Sequence, residues 1–231
     1  MLCYQGMTDF EKPAMNAFQN RFRNAEISGC YFHLGQSVWR RIQNNNLSGI
    51  YKQNPDFAIR VRKFLALAFV PPQQVHHYMQ LLMIEEINRE DRLLVDFITY
   101  FQSTYVGQMV NGVEFPGKYP YHLWNMYQRV KDNLPRTNNS LEGWHNGFAR
   151  DLPNHPAIPK LAAKYQTEQH KRAINRIHHV AGRFTPRRQK TYQKVDRYLK
   201  AQVDKLDRQV LVNLAYLTQT AKVMQICTHD D

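Results

Sequence analysis

Two carboxylates are candidates for holding one divalent ion. Glu142 lies in "RTNNSLEGWH", residues 136 to 145, where a polar turn gives way to a helical pattern, and Asp9 lies far upstream in "TDFEKPAMNAF". Each also has a purely structural explanation. Asn139 can cap the helix, with Glu142 three residues on reaching back as in a capping box, and Asp9 stands where an ordinary N-cap would. Carboxylates are favoured near helix N-termini in either case. Cys30 and His33, in "CYFH", amount to half a zinc site, because a closed tetrahedral site needs four ligands and no second paired motif occurs. The doublets His76-His77 and His178-His179 fall in helical patterns, where neighbours point in different directions and chelate poorly.

A second chemistry is phosphate binding. The formal charge of the chain is +12, and from Lys160 onward there are 15 Lys and Arg against 6 Asp and Glu, so most of the excess lies in the last third. Between residues 160 and 208 Arg172, Arg176, Arg183, Arg187, Arg188, Lys190 and Lys194 recur with Phe184, Tyr192 and Tyr198 among them. Such a concentrated positive field favours a polyanion, since Lys and Arg release counterions when they neutralise phosphates. The competing explanation is a solvated helical face.

The elements that must position these residues are mostly helical. Asp9 to Phe22 opens a helix with Pro13 in its first turn and Met15, Phe18 and Phe22 on one side. Glu26 to Phe32 is rich in β-formers and is the strand candidate. Helical periodicity resumes at Val38, Trp39 and Ile42 and runs through residues 55 to 105, interrupted by "VPPQQ" at 70 to 74. Gly107 to Pro120, with two glycines and two prolines, reads as a loop. Helices are expected at 157 to 180 and 189 to 226. The fold expected is therefore mainly α, with at most two or three short strands.

At 231 residues and 43% hydrophobic content the chain can bury a core. The longest apolar run, Phe64 to Val70, is too short to cross a bilayer core of about 30 Å, so neither a membrane span nor a secretion signal is expected. Three widely separated cysteines fit a reducing, intracellular compartment.

Taken in order, "TDFEKPAMNAF", "GCYFHLGQSVWRRI" and "WNMYQRVKDNLPRTNNSLEGWHNGF" resemble the Mutator-like element (MULE) class of DDE transposases, in particular the animal type associated with FLYWCH zinc fingers. The resemblance covers roughly residues 7 to 160. It implies an RNase H-like core, with Asp9 as the second acid at the end of a core strand and Glu142 as the last acid on a helix after a helical insertion at about 40 to 120. Cys30 and His33 match the family's C-x-x-H signature, and Asn138, Asn139, Trp144 and His145 match the motif around the last acid. It further implies Mg²⁺ or Mn²⁺ at Asp9 and Glu142, DNA as the partner and substrate, and a nuclear location. Residues 1 to 159 would form the partial transposase domain and 160 to 231 a basic helical C-terminal arm. In such a core, residues 2 to 7 should pair with the 26 to 32 strand, with the 10 to 22 helix as their crossover, and Asp9 and Glu142 should lie near one another. The family's first acid precedes the second on an earlier strand, and none of the eight residues before Asp9 is acidic. The chain by itself is therefore expected to be inactive: a transposase fragment, a non-catalytic DNA- or protein-binding module derived from one, or a decayed open reading frame.

Overall fold

A computed structural model describes residues 5–183, 190–224 and 226 of the chain, with the side chains of residues 5, 114, 140–142, 190 and 191 left out of the description. The molecule is mainly helical. It divides into two compact units, residues 1–137 with 194–231, and residues 138–193.

The first unit opens with strand β1 (Gln5–Thr8), helix α1 (Lys12–Arg21) and strand β2 (Glu26–Gly29). The strands pair in parallel, Gln5 opposite Glu26 and Thr8 opposite Gly29, so the chain must return to its starting edge through α1. The expected pairing and crossover are both present. The second strand is shorter than expected. Residues 30 to 32 do not extend it, because Cys30 turns the chain as an N-cap in extended geometry and α2 (Tyr31–Asn44) begins. Leu34, Val38, Trp39 and Ile42 lie on one helical face and are buried, and this outweighs the strand preference of Tyr31 and Phe32.

Helices α3 (Ser48–Gln53) and α4 (Pro55–Ala66) follow. Asn54 caps α4, its side-chain oxygen accepting from the Phe57 N–H at 3.0 Å, with Pro55 at the first turn. After two short 3₁₀ turns come α5 (Val75–Ile87) and α6 (Val95–Phe101), and α6 runs on into a π-helical turn at Gln102–Val106. The core gathers Phe57, Phe64, Phe69, Phe97, Phe101 and Trp124, all with almost no exposure. Within it Arg60 and Glu86 are a buried ion pair at 2.6 Å, and Arg60 also holds Asp91 at 2.7 Å.

Residues 107 to 120 are not simply a loop. Strands β3 (Gln108–Val110) and β4 (Val113–Phe115) form an antiparallel hairpin, which brings the described strands to four. The cause is Asn111-Gly112, both with positive φ (51° and 79°), the pair that a tight hairpin turn demands. Short helices α7 (Tyr121–Trp124) and α8 (Tyr127–Lys131) complete this stretch.

The second unit contains α9 (Asn139–Arg150) and α10 (Ile158–Val180). Phe148 and Tyr165 rings meet at 4.8 Å, and Lys164 bridges Asp151 at 2.5 Å and Glu168 at 3.2 Å. No residue of α10 is buried.

The expected basic arm is thereby divided. From residue 194 onward, α11 (Lys190–Asp207) belongs to the first unit, where Leu199, Val203 and Leu206 enter the core. Tyr198 donates to the Gln219 carbonyl at 3.1 Å, and Arg136 binds Asp196. Helix α12 (Asn213–Ala221) seals the same core, with the Tyr216 hydroxyl donating to the Phe69 carbonyl at 2.6 Å. Exposed basic helix without core contact is thus α10, while α11 is a packed element with one charged side.

Candidate functional site

Asp9 follows β1 directly and is 44% exposed, and its Oδ1 lies 3.2 Å from Nδ1 of His33 in the first turn of α2. Two features fix the turn that carries it. Phe10 has a left-handed backbone, φ 67°, which is unfavourable for a bulky residue. Its ring sits over Gly29, where an added Cβ would fall 2.3 Å from the ring carbon Cζ. The Phe10 ring also meets Tyr119 edge-on at 5.2 Å, and the Tyr119 hydroxyl donates to the Phe10 carbonyl at 3.2 Å. The strand pair, the glycine and the aromatic ring together hold a strained residue beside the acid, the setting in which backbone strain is usually found to serve a site.

Around Asp9 and His33 is a cleft of about 310 Å³. Helix α2 contributes His33, Ser37 and Arg40, which the i, i+4, i+7 spacing places on one face. The end of α6 and the π-helical turn contribute Tyr100, Thr104 and Tyr105, and the segment after the hairpin contributes Lys118 and Tyr119. π-helical turns recur at functional sites because they re-aim side chains without ending the helix. Ser37 Oγ lies 2.6 Å from the Tyr100 hydroxyl and 2.7 Å from that of Tyr105. Burial pushes the Tyr105 hydroxyl well above its ordinary pKa, so it keeps its proton. A larger cleft of about 700 Å³ lies beside β2, lined by Ile27, Leu123 and Arg129 among others, but Arg129 there is engaged by Ser28 at 3.2 Å. The smaller cleft is the one that holds Asp9.

No family model, curated protein or solved structure matches the chain.

The remaining expected site residues are placed as follows. Glu142 is the fourth residue of α9, in the other compact unit, and its side chain lies outside the described residues, so its expected approach to Asp9 does too. The cap of α9 is Asn138 rather than Asn139, which is the first helical residue, and Asn138 makes no side-chain cap bond. Cys30 is fully buried, and its N–H continues the strand pairing by donating to the Thr8 carbonyl at 2.8 Å. Trp144 is built into the α9–α10 pair: its indole N–H donates to Glu168 at 3.2 Å, its ring meets Phe148 at 5.2 Å, and Arg172 lies over it at 4.8 Å. His145 is exposed beside the Trp144 ring at 5.1 Å. Lys171, Lys164 and the Trp144 indole pull Glu168 down to about 2, so it stays ionised among these cations.

Arg172, Arg176 and Arg183 are exposed, as is Lys194 on α11. Arg187 and Arg188 lie outside the described residues, as does the side chain of Lys190. Among the described residues no three His, Cys, Asp or Glu side chains cluster to hold an ion. The Asp9 carboxylate suits an oxygen-seeking ion such as Mg²⁺ or Mn²⁺, and the His33 imidazole adds nothing to an all-oxygen set. The described residues thus offer such an ion one carboxylate. Ser37, Arg40, Tyr100, Tyr105, Lys118 and Tyr119 are not expected at a site from sequence, and only the α2 spacing signals any of them.

Proposed function

We propose that the chain derives from a Mutator-like DDE transposase, with Asp9 a metal-ligating acid of an RNase H-like core and DNA the partner. The observation that carries this reading is the position of Asp9: it follows the first strand of a parallel strand–helix–strand unit, the edge at which α/β sheets present their reactive groups. His33 beside it, three residues after Cys30 in the matching C-x-x-H, adds support. The test is a titration with Mn²⁺ followed by NMR. Amide signals of residues 8–10 and 33 should broaden first, and the Asp9→Asn variant should abolish that broadening. Broadening that persists in Asp9→Asn would overturn the assignment. The same preparations are assayed for Mg²⁺-dependent nicking of supercoiled DNA, and nicking that survives Asp9→Asn places any chemistry elsewhere.

A second reading, a DNA-binding module without chemistry, is favoured by α10. Its second half carries Lys171, Arg172 and Arg176, all exposed on a helix with no buried residue. Side chains of that kind neutralise phosphates without reading bases, so affinity should fall steeply with salt and differ little between sequences. Replacing these three residues by Ala should flatten the log–log salt slope by about 2.7, at about 0.9 for each phosphate no longer neutralised. An unchanged slope removes α10 as the binding surface.

A further inference from the structure

We infer that the cleft beside Asp9 is a phosphate-binding site, with Arg40 and Lys118 as its charged ligands and the Ser37, Tyr100 and Tyr105 hydroxyls as its neutral donors. The inference rests on the cleft being the functional site but not on metal binding there.

Two consecutive arginines leave α2 in different directions. Arg41 is occupied, its guanidinium lying over the Tyr100 ring at 5.1 Å and donating to the Asp96 carbonyl at 3.4 Å. Arg40 lines the cleft, is exposed, and has neither an ion pair nor a hydrogen bond among the described residues. Lys118 lines the same cleft, its ammonium resting over the Tyr119 ring at 5.4 Å, with no carboxylate paired to it among the described residues. The carboxylate in the cleft is Asp9, whose near neighbour is His33. Two cations against one anion leave the cleft net positive even with His33 neutral. An anion with several acceptor oxygens is what such a donor set recognises, and a guanidinium beside hydroxyls matches phosphate geometry.

The hydroxyl cluster sharpens this. Three hydroxyls carry three protons, and the two contacts from Ser37, at 2.6 and 2.7 Å, use two of them. The third lies between the Tyr100 and Tyr105 hydroxyls, and an anion entering the cleft would draw it out of the cluster by offering a charged acceptor. Tyr105 is nearly fully buried, and the indole N–H of Trp124 fixes its backbone by donating to its carbonyl at 2.9 Å, so the cluster is preorganised rather than assembled by the ligand. A volume of about 310 Å³ accommodates a phosphate with a sugar attached but little more. Both a free phosphomonoester and one backbone phosphate of a nucleic acid present this chemistry.

The test is an NMR titration in EDTA at fixed ionic strength, with inorganic phosphate, thymidine 5′-monophosphate and a short DNA duplex as separate probes. Inorganic phosphate should shift residues 33–40 and 100–105 saturably, and Arg40→Gln or Lys118→Gln should weaken it at least about tenfold, the loss expected for one charge-assisted hydrogen bond. Arg150→Gln, an exposed residue in the other unit, serves as control and should leave it unchanged. Both cleft cations are exposed, so the variants should melt as the wild type does. If Arg40→Gln also weakens the duplex, the occupant is a nucleic-acid phosphate; if it weakens only the two small probes, it is a free phosphomonoester. No saturable shift, or equal affinity in Arg40→Gln and Lys118→Gln to that of the wild type, overturns the site. EDTA removes the ion on which the Asp9 assignment depends, so failure of one reading is distinguishable from failure of the other.

Discussion

Gly29→Ala is the perturbation that reports most directly on how the Asp9 turn is held. The added Cβ would lie 2.3, 2.5 and 2.8 Å from three carbons of the Phe10 ring. Ordinary carbon contacts are about 3.5–4.0 Å, so the ring must retreat by roughly 1.2 Å or more. It cannot do so freely: Tyr119 closes on it at 5.2 Å and Tyr105 at 6.3 Å, and the Tyr119 hydroxyl fixes the Phe10 carbonyl. Gly29 does not have a positive φ, so the cost is steric rather than conformational. Overpacking of this kind costs about 2 kcal/mol, which for a chain of this size lowers the melting temperature by about 4–8 °C.

A double-mutant cycle followed by thermal melts isolates the interaction. In a Phe10→Ala background the ring is gone, and Gly29→Ala should then cost less than about 0.5 kcal/mol, the usual error of additivity. Equal costs in the two backgrounds would refute the reasoning. The left-handed φ of Phe10 supplies an internal check, since Phe10→Gly removes the same ring as Phe10→Ala but is released from a penalty of about 1 kcal/mol, and should be the more stable of the two. Because Asp9 precedes Phe10, Gly29→Ala should also weaken Mn²⁺ broadening at residues 8–10.

The Arg60–Glu86 pair is buried on both sides, so Arg60→Leu leaves the buried Glu86 carboxylate with Arg89 alone, at 3.3 Å, and should cost about 3 kcal/mol by urea denaturation, with most of that recovered in Arg60→Leu/Glu86→Leu; a cost under about 1 kcal/mol would contradict the burial. The Trp144 indole N–H resonance should titrate with Glu168 at about pH 2, well below the ordinary 4.5. As the folded value is the lower one, the contribution of Glu168 to the α9–α10 packing is present above about pH 4.5 and is lost as pH falls toward 2. Glu168→Gln should abolish this pH dependence, and a midpoint near 4.5 would show that the cations do not hold the carboxylate.

Local pattern makes some of this legible in the sequence, and tertiary context hides the rest. The second strand can be read because β-formers follow an amphipathic segment opened by Pro13, whereas the first, Gln5-Gly6-Met7-Thr8, carries little strand preference and is expected only from the family resemblance. Residue preference overextends the second strand because Tyr31 and Phe32 favour strands on their own, whereas the buried set Leu34, Val38, Trp39 and Ile42 recruits them into a helix. The hairpin at 108–115 carries its signal in Asn111-Gly112, but the surrounding glycines and prolines resemble a loop. His33, Ser37 and Arg40 share a helical face that spacing alone predicts. Their partners Tyr100, Tyr105 and Lys118 come from segments 60 or more residues away, and only packing brings them there.

Helices α10 and α11 show why net charge is a poor guide to where a polyanion would bind. In α11, Leu199, Val203 and Leu206 recur at four and three and are drawn into the core, and its acids are used across the packing interface: Asp196 with Arg136, Asp207 with Lys131. Those pairs neutralise cations of the body rather than those of α11 itself, where Lys194 stays exposed. In α10, by contrast, Ile174, Ile177 and Val180 are 40–80% exposed, and Glu168 satisfies only the lysines of its own neighbourhood. On the proposed DNA-binding reading, the cations of α10 would act as a diffuse field for phosphates, with affinity set by salt. Arg40 and Lys118 act differently. They flank fixed hydroxyl donors within a bounded cleft, so an anion there is held by geometry as well as by charge, and its binding should depend less on salt than duplex binding by α10.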